Sequence, residues 1–170
     1  HGNNQGLVKL FDPAQMAPAP GAGSPAVERE TPLSAVVNGN QAPGMLALST
    51  AIDVAAAKAS SGGGLALVGC RNTSTSSGML AYFGARLAKC GLVSIIVATS
   101  PECVSMVPGA AKVFGTNPIC FSFPRGGEEA PLVFDMSTSA VAFFGVMEAK
   151  AKGARLPPGV ACLADGTPTT

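Results

Sequence analysis

Apolar positions recur along this chain with helical spacing in some stretches and as short uninterrupted runs in others. From Met45 to Ser60, Leu48, Ile52, Ala55 or Ala56, and Ala59 stand three or four residues apart in an alanine-rich stretch. That spacing predicts a helix, which Gly62-Gly63-Gly64 ends. Leu65 to Val68 then reads as a short buried strand, and the polar tract Asn72 to Ser77 as a loop. Leu80, Phe83 and Leu87 share one face of a second helix over Met79 to Lys89, with Gly91 after its basic last turn. Leu92 to Ala98 is a second buried strand. Strand, helix and strand within about 30 residues predict a βαβ unit with parallel pairing.

Ile119 to Phe123 and Leu132 to Phe134 are further strands, and Ala140 to Lys152 is a third helix with Ser or Thr of the preceding tract as its N-cap. Residues 12–32 hold Pro13, Pro18, Pro20, Pro25 and Pro32 with Gly21 and Gly23, which excludes a regular helix or central strand there. The expected organisation is an extended proline-rich segment over residues 1–35 and an α/β core over residues 36–170, a mixed sheet flanked by helices.

Composition narrows the function. At 170 residues the chain has the size of one ordinary domain. Net charge is +1 and aromatic content 5%, so neither a basic field nor stacking platforms point to nucleic acid. No run approaches the ~18 apolar residues of a membrane span. Cys70, Cys90, Cys103, Cys120 and Cys162 form no CxxC pair, so no metal site is expected, and the expectation is reduced, buried thiols.

Two polar tracts could carry chemistry. Asp135-Met136-Ser137-Thr138-Ser139 follows a strand and precedes a helix. Its hydroxyls and free backbone N–H groups could face an anionic ligand, or one hydroxyl could simply cap the helix. Gly115-Thr116-Asn117-Pro118 is a turn before a strand, with Asn117 pushed toward extended geometry by Pro118. It could equally be an ordinary turn or a frame for a ligand. Thr99-Ser100 closes the strand of Leu92 to Ala98, and ligands of open α/β sheets lie beyond such carboxyl ends. His1 is the only histidine, and at a terminus it reads either as a functional imidazole or as a frayed end. No G-x-G-x-x-G in strand-to-helix context, P-loop, G-x-S-x-G or H-E-x-x-H occurs.

These tracts, with Lys152-Gly153 to Leu156-Pro157 and Asp165-Gly166-Thr167-Pro168-Thr169-Thr170, resemble in order and spacing the malate/L-lactate dehydrogenase family. His1-Gly2 resembles that family's Ser-His-Gly segment, and residues 36–44 its Val-Asp-Gly turn. The resemblance covers essentially the whole chain. It implies a non-Rossmann α/β fold of the L-sulfolactate dehydrogenase type, of which this chain would be an internal fragment. It also implies NAD- or NADP-dependent interconversion of a small 2-hydroxy acid and its 2-oxo acid, and a cytoplasmic homodimer. By position it implies His1 as acid/base, Ser100, Phe134, Asp135, Met136, Ser137 and Thr138 as cofactor contacts, and Thr116 and Asn117 beside the substrate. Three positions depart from the family: Gln5 stands where an arginine is usual, Ser76 where a second histidine is usual, and Asn38 where an Asp is usual. Those departures leave open a catalytically impaired paralogue that binds a nucleotide or metabolite or serves as a partner subunit.

Overall fold

The computed structural model describes residues 17–127 and 129–170, which fall into two compact units. His1 and Gln5 lie outside the described residues. The larger unit comprises described residues 17–96, 120–127 and 129–134, and the smaller one 97–119 and 135–170.

In the larger unit, β1 (Ala26–Glu30) lies between Pro25 and Pro32. It pairs antiparallel with β2 (Ser34–Asn38), with a bulge between Val27 and Arg29. As an edge strand it suits a proline-bounded segment. Helix α1 (Gly44–Lys58) follows, closed by a π-helical turn over Ala59–Gly63, and the chain returns as β3 (Leu67–Arg71) parallel to β2. The parallel βαβ unit is therefore β2–α1–β3. The expected partner of β3, namely β4 (Ser94–Val97), belongs instead to a second three-stranded sheet with β7 (Ile119–Phe123) and β8 (Leu132–Met136), in the order β4-β7-β8. The sequence shows two strands around α2 (Leu80–Lys89) but not which sheet each joins.

Packing of the larger unit follows side-chain size. Ala35 and Val37 alternate inward on β2, and α1 buries Gly44, Ala47, Ala51 and Ile52. Of the Leu48–Ala59 line expected from the sequence only Ile52 is buried, and Gly44, Ala47 and Ala51 complete the inward face with small residues. Leu80, Phe83, Gly84, Leu87 and Ala88 give α2 a buried stripe with the predicted spacing. Its end matches the glycine signal: Gly91 adopts φ 78° and Leu92 N–H reaches the Leu87 carbonyl at 3.1 Å.

The inner face of the β4-β7-β8 sheet contains Ile96, Cys120 and Ser122, with Ser122 fully buried and its Oγ 2.6 Å from Ser94 Oγ. The outer face is also apolar. Ile95 and Phe134 stay 66% and 55% exposed there, and on β3 Leu67 is 75% exposed. These strands therefore have the apolar runs of buried strands, but only one side of each run is covered. The thiols depart from expectation in the same way: only Cys120 is buried, and Cys70, Cys90 and Cys162 are exposed. No described helix is long and apolar enough to cross a membrane, and no metal-ligand cluster occurs among the described residues.

A β-carbon at Gly84 would stand 3.0 Å from Cys120 Sγ and 3.2 Å from Ser122 Cβ, so α2 meets β7 with no spare room. Gly84→Ala is expected to destabilise the chain by about 1–3 kcal/mol through overpacking, despite the better helix propensity of alanine. The urea unfolding midpoint measures this; an unchanged or higher midpoint would show that the contact relaxes freely.

Candidate functional site

The smaller unit holds two short antiparallel pairs: β5 (Val104–Ser105) with β6 (Lys112–Phe114), and β9 (Ala161–Cys162) with β10 (Pro168–Thr169). Helix α3 (Phe143–Lys152) lies between them in sequence. The Asp165-Gly166-Thr167 motif is the turn that joins β9 to β10. Thr167 N–H donates to Asp165 Oδ1 at 2.9 Å, and Leu163 N–H to the Thr167 carbonyl at 2.8 Å. The Thr167 backbone and hydroxyl hold the Asp165 carboxyl below its ordinary pKa.

The Gly115–Pro118 turn leaves β6 and enters β7, and it lies against Ser100, three residues beyond the end of β4. Gly115 is buried, and a β-carbon there would collide with the carbonyl oxygen and Oγ of Ser100. Only glycine permits this approach. Thr116 N–H then donates to Ser100 Oγ at 2.8 Å, and the two hydroxyls lie 3.2 Å apart. Ser100 N–H donates to Asn117 Oδ1 at 3.2 Å. Asn117 is not extended as Pro118 led us to expect: its φ is 34°. Asparagine tolerates the left-handed region better than most residues, and here its side chain is bonded to Ser100.

The second tract joins the same cluster. Thr138 N–H donates to the Thr116 carbonyl at 3.0 Å, and Thr138 Oγ1 lies 2.9 Å from the Asn117 carbonyl and 3.3 Å from that of Thr116. Ser100, Thr116, Asn117 and Thr138 thus form one hydrogen-bonded group. The remainder of the tract departs from expectation. Asp135 and Met136 are the last residues of β8, and α3 begins only at Phe143. Its N-cap is Ala142, with no side-chain cap bond. Ser137 and Ser139 close their own turn instead: their hydroxyls are 2.6 Å apart, and Ser139 N–H donates to Ser137 Oγ at 3.1 Å. The tract therefore ends a strand but does not open the helix. Phe134 lies in the β8 part of the larger unit, its ring 6.5 Å from that of Phe121.

A polar cluster in the larger unit escaped the sequence reading. Asn38 Oδ1 accepts from Asn40 N–H at 3.0 Å and from Asn72 Nδ2 at 2.8 Å, and Gln41 Nε2 donates to Asn72 Oδ1. Asn40, Gln41 and Asn72 all have positive φ, at the carboxyl ends of the parallel strands β2 and β3. The signal was an asparagine at or just after the end of two apolar strands. Ser76, in the following loop, is exposed, and its Oγ accepts from Gly78 N–H at 3.1 Å.

Residues 7–170 match the malate/L-lactate dehydrogenase family. The chain belongs to this family. It is 33% identical over 144 residues to an NAD(+) ureidoglycolate dehydrogenase of Escherichia coli O157:H7, covering 85% of this chain and 40% of that protein. It is 44% identical over 85 residues to a (2R)-3-sulfolactate dehydrogenase (NADP(+)) of Chromohalobacter salexigens, covering 50% and 25%. The crystal structure of delta1-piperideine-2-carboxylate reductase from Pseudomonas syringae pvar. tomato matches with a TM-score of 0.73 and 35% identity, over 86% of this chain and 43% of that one. The chain of this family member spans about two fifths of the length of the first of these relatives.

Acid titration offers a check on the charged groups. The Arg71 guanidinium donates twice to Glu28 Oε2, at 3.0 and 2.7 Å, and holds the Glu28 carboxyl below its ordinary pKa. A lowered folded pKa means stability that is present above the unfolded pKa and is lost as pH falls through the folded one. Asp165 has the same sign. Unfolding midpoints should therefore fall on acidification below the ordinary carboxylate range, and Glu28→Gln with Asp165→Asn should flatten that fall. An equally steep fall in the double variant would assign the acid sensitivity to other groups.

Proposed function

We propose that this chain is the cofactor side of an NAD- or NADP-dependent oxidoreductase that interconverts a small 2-hydroxy acid, malate- or lactate-like, with its 2-oxo acid. The observation that carries this reading is the family match over residues 7–170, which includes every tract of the hydrogen-bonded group. Ureidoglycolate and sulfolactate, the substrates in two relatives' names, are both 2-hydroxy acids, and those names carry NAD(+) and NADP(+) respectively. The core over residues 36–170 serves as a non-Rossmann cofactor framework, and residues 1–35 belong to the substrate side. A cytoplasmic homodimer is part of the same reading.

Neutral hydroxyls, an amide and one carboxylate fit a dinucleotide, which offers hydroxyl and phosphate groups in turn. Ser100, Asp135, Met136, Ser137 and Thr138 would hold it with Phe134, and Thr116 and Asn117 would stand beside the substrate. When bound, the nicotinamide supplies the acceptor for the hydride leaving the hydroxyl-bearing carbon. His1 takes the hydroxyl proton in the same oxidation, so proton and hydride are both accounted for. A second reading, a catalytically impaired paralogue, draws on Ser76 at the position of a family histidine: a hydroxyl engaged by Gly78 N–H is no base near neutral pH.

NADH and NADPH fluorescence titrations, followed by turnover of a panel of 2-oxo acids, test the proposal. Saturable binding of one nucleotide and oxidation of it with at least one 2-oxo acid are expected. Binding without turnover, rescued by Ser76→His with Gln5→Arg, would favour the impaired paralogue. No binding of either nucleotide would refute both cofactor readings.

A further inference from the structure

We propose that Thr138 is a positioning residue, which sets the Ser100 contact by holding Asn117 in its left-handed conformation; this rests on the dehydrogenase reading of the site. Thr138 has one hydroxyl proton, and two carbonyls lie within reach. The Thr116 carbonyl already accepts Thr138 N–H at 3.0 Å, and Oγ1 is 3.3 Å from it. The Asn117 carbonyl, at 2.9 Å, is therefore the main partner of the hydroxyl. That carbonyl belongs to the residue in the least comfortable backbone state of the turn, with φ 34° ahead of a proline. Backbone in such a state persists only when its surroundings hold it from several sides.

The connection runs onward from Asn117. Its Oδ1 takes Ser100 N–H at 3.2 Å, and Ser100 Oγ takes Thr116 N–H at 2.8 Å. Gly115 keeps the two segments in contact, since a β-carbon there would strike Ser100. Release of the Asn117 carbonyl therefore frees the asparagine that orients the Ser100 backbone. Thr138 is itself exposed, and its side chain contributes little to packing, so its hydroxyl can be removed with little cost to the rest of the unit. In addition to its own place among the cofactor contacts, the Thr138 hydroxyl thus acts on the Ser100 segment through Asn117.

The test compares Thr138→Val, which keeps the branched shape and removes the hydroxyl, with Thr138→Ser, which restores the donor, and with Ser100→Ala. Each is made in the full chain. Three quantities are measured: the Kd for NADH and NADPH, amide hydrogen exchange at Ser100 and Thr116, and the thermal midpoint. Thr138→Val should raise the Kd of the preferred nucleotide about tenfold, a factor worth one charge-free network contact. It should also speed exchange at Ser100 while leaving the thermal midpoint nearly unchanged. Thr138→Ser should return both quantities to within about twofold of the parent. If Ser100→Ala weakens binding but Thr138→Val does not, the positioning role is overturned and the cofactor reading stands. If neither variant changes binding, or the parent binds neither nucleotide, the cofactor reading fails and the positioning role with it.

Discussion

The bond from Thr116 N–H to Ser100 Oγ, at 2.8 Å, is the contact on which the candidate site depends. It forms only because position 115 has no side chain, which lets the turn press against the segment beyond β4. Once made, it fixes which atoms the neighbouring residues can use. Asn117 turns left-handed and gives its side-chain oxygen to Ser100 N–H, and its backbone carbonyl to the Thr138 hydroxyl. Three stretches far apart in sequence become one frame of neutral donors and acceptors.

The energetics of the larger unit are those of close packing. Small residues on α1 and the Gly84 contact of α2 bring helices against strands with little space between. The β4-β7-β8 sheet is apolar on both faces, as sheets covered on both sides are. Only its inner face is buried among the described residues, where Ser94 and Ser122 satisfy each other. The ends of the parallel strands β2 and β3 contain a second amide-rich corner, built from Asn38, Gln41 and Asn72. Three residues with positive φ in one corner mark it as a shaped surface rather than a slack loop.

The three helices and strands β3, β4, β7 and β8 were legible in the sequence because they depend on local signals, whereas β1, β2 and the short pairs β5–β6 and β9–β10 were not read as strands. The α2 stripe and its terminal Gly91, and the full extent of β7, follow from spacing and turn chemistry alone. Pairing was not legible: nothing local in β3 indicates that it joins β2 rather than β4. Burial also misled, since an apolar strand looks the same whether one face is covered or two, as Ile95 and Leu67 show. At the site, the tracts were visible but their linkage was not. The proline after Asn117 argued for extended backbone, and the side-chain bond to Ser100 that overrides it spans 17 positions. The Ser137–Ser139 turn likewise takes the hydroxyls that the sequence offers as caps for α3.

The most direct test of this frame as a nucleotide site is the amide spectrum of the full chain, titrated with NADH and then with NADPH. The account predicts saturable shifts centred on residues 98–100, 115–117 and 134–138, with the Ser100 and Thr116 amides among the largest. Saturable shifts confined elsewhere, for instance to helices α1 and α2, or no shifts with either nucleotide, would contradict it.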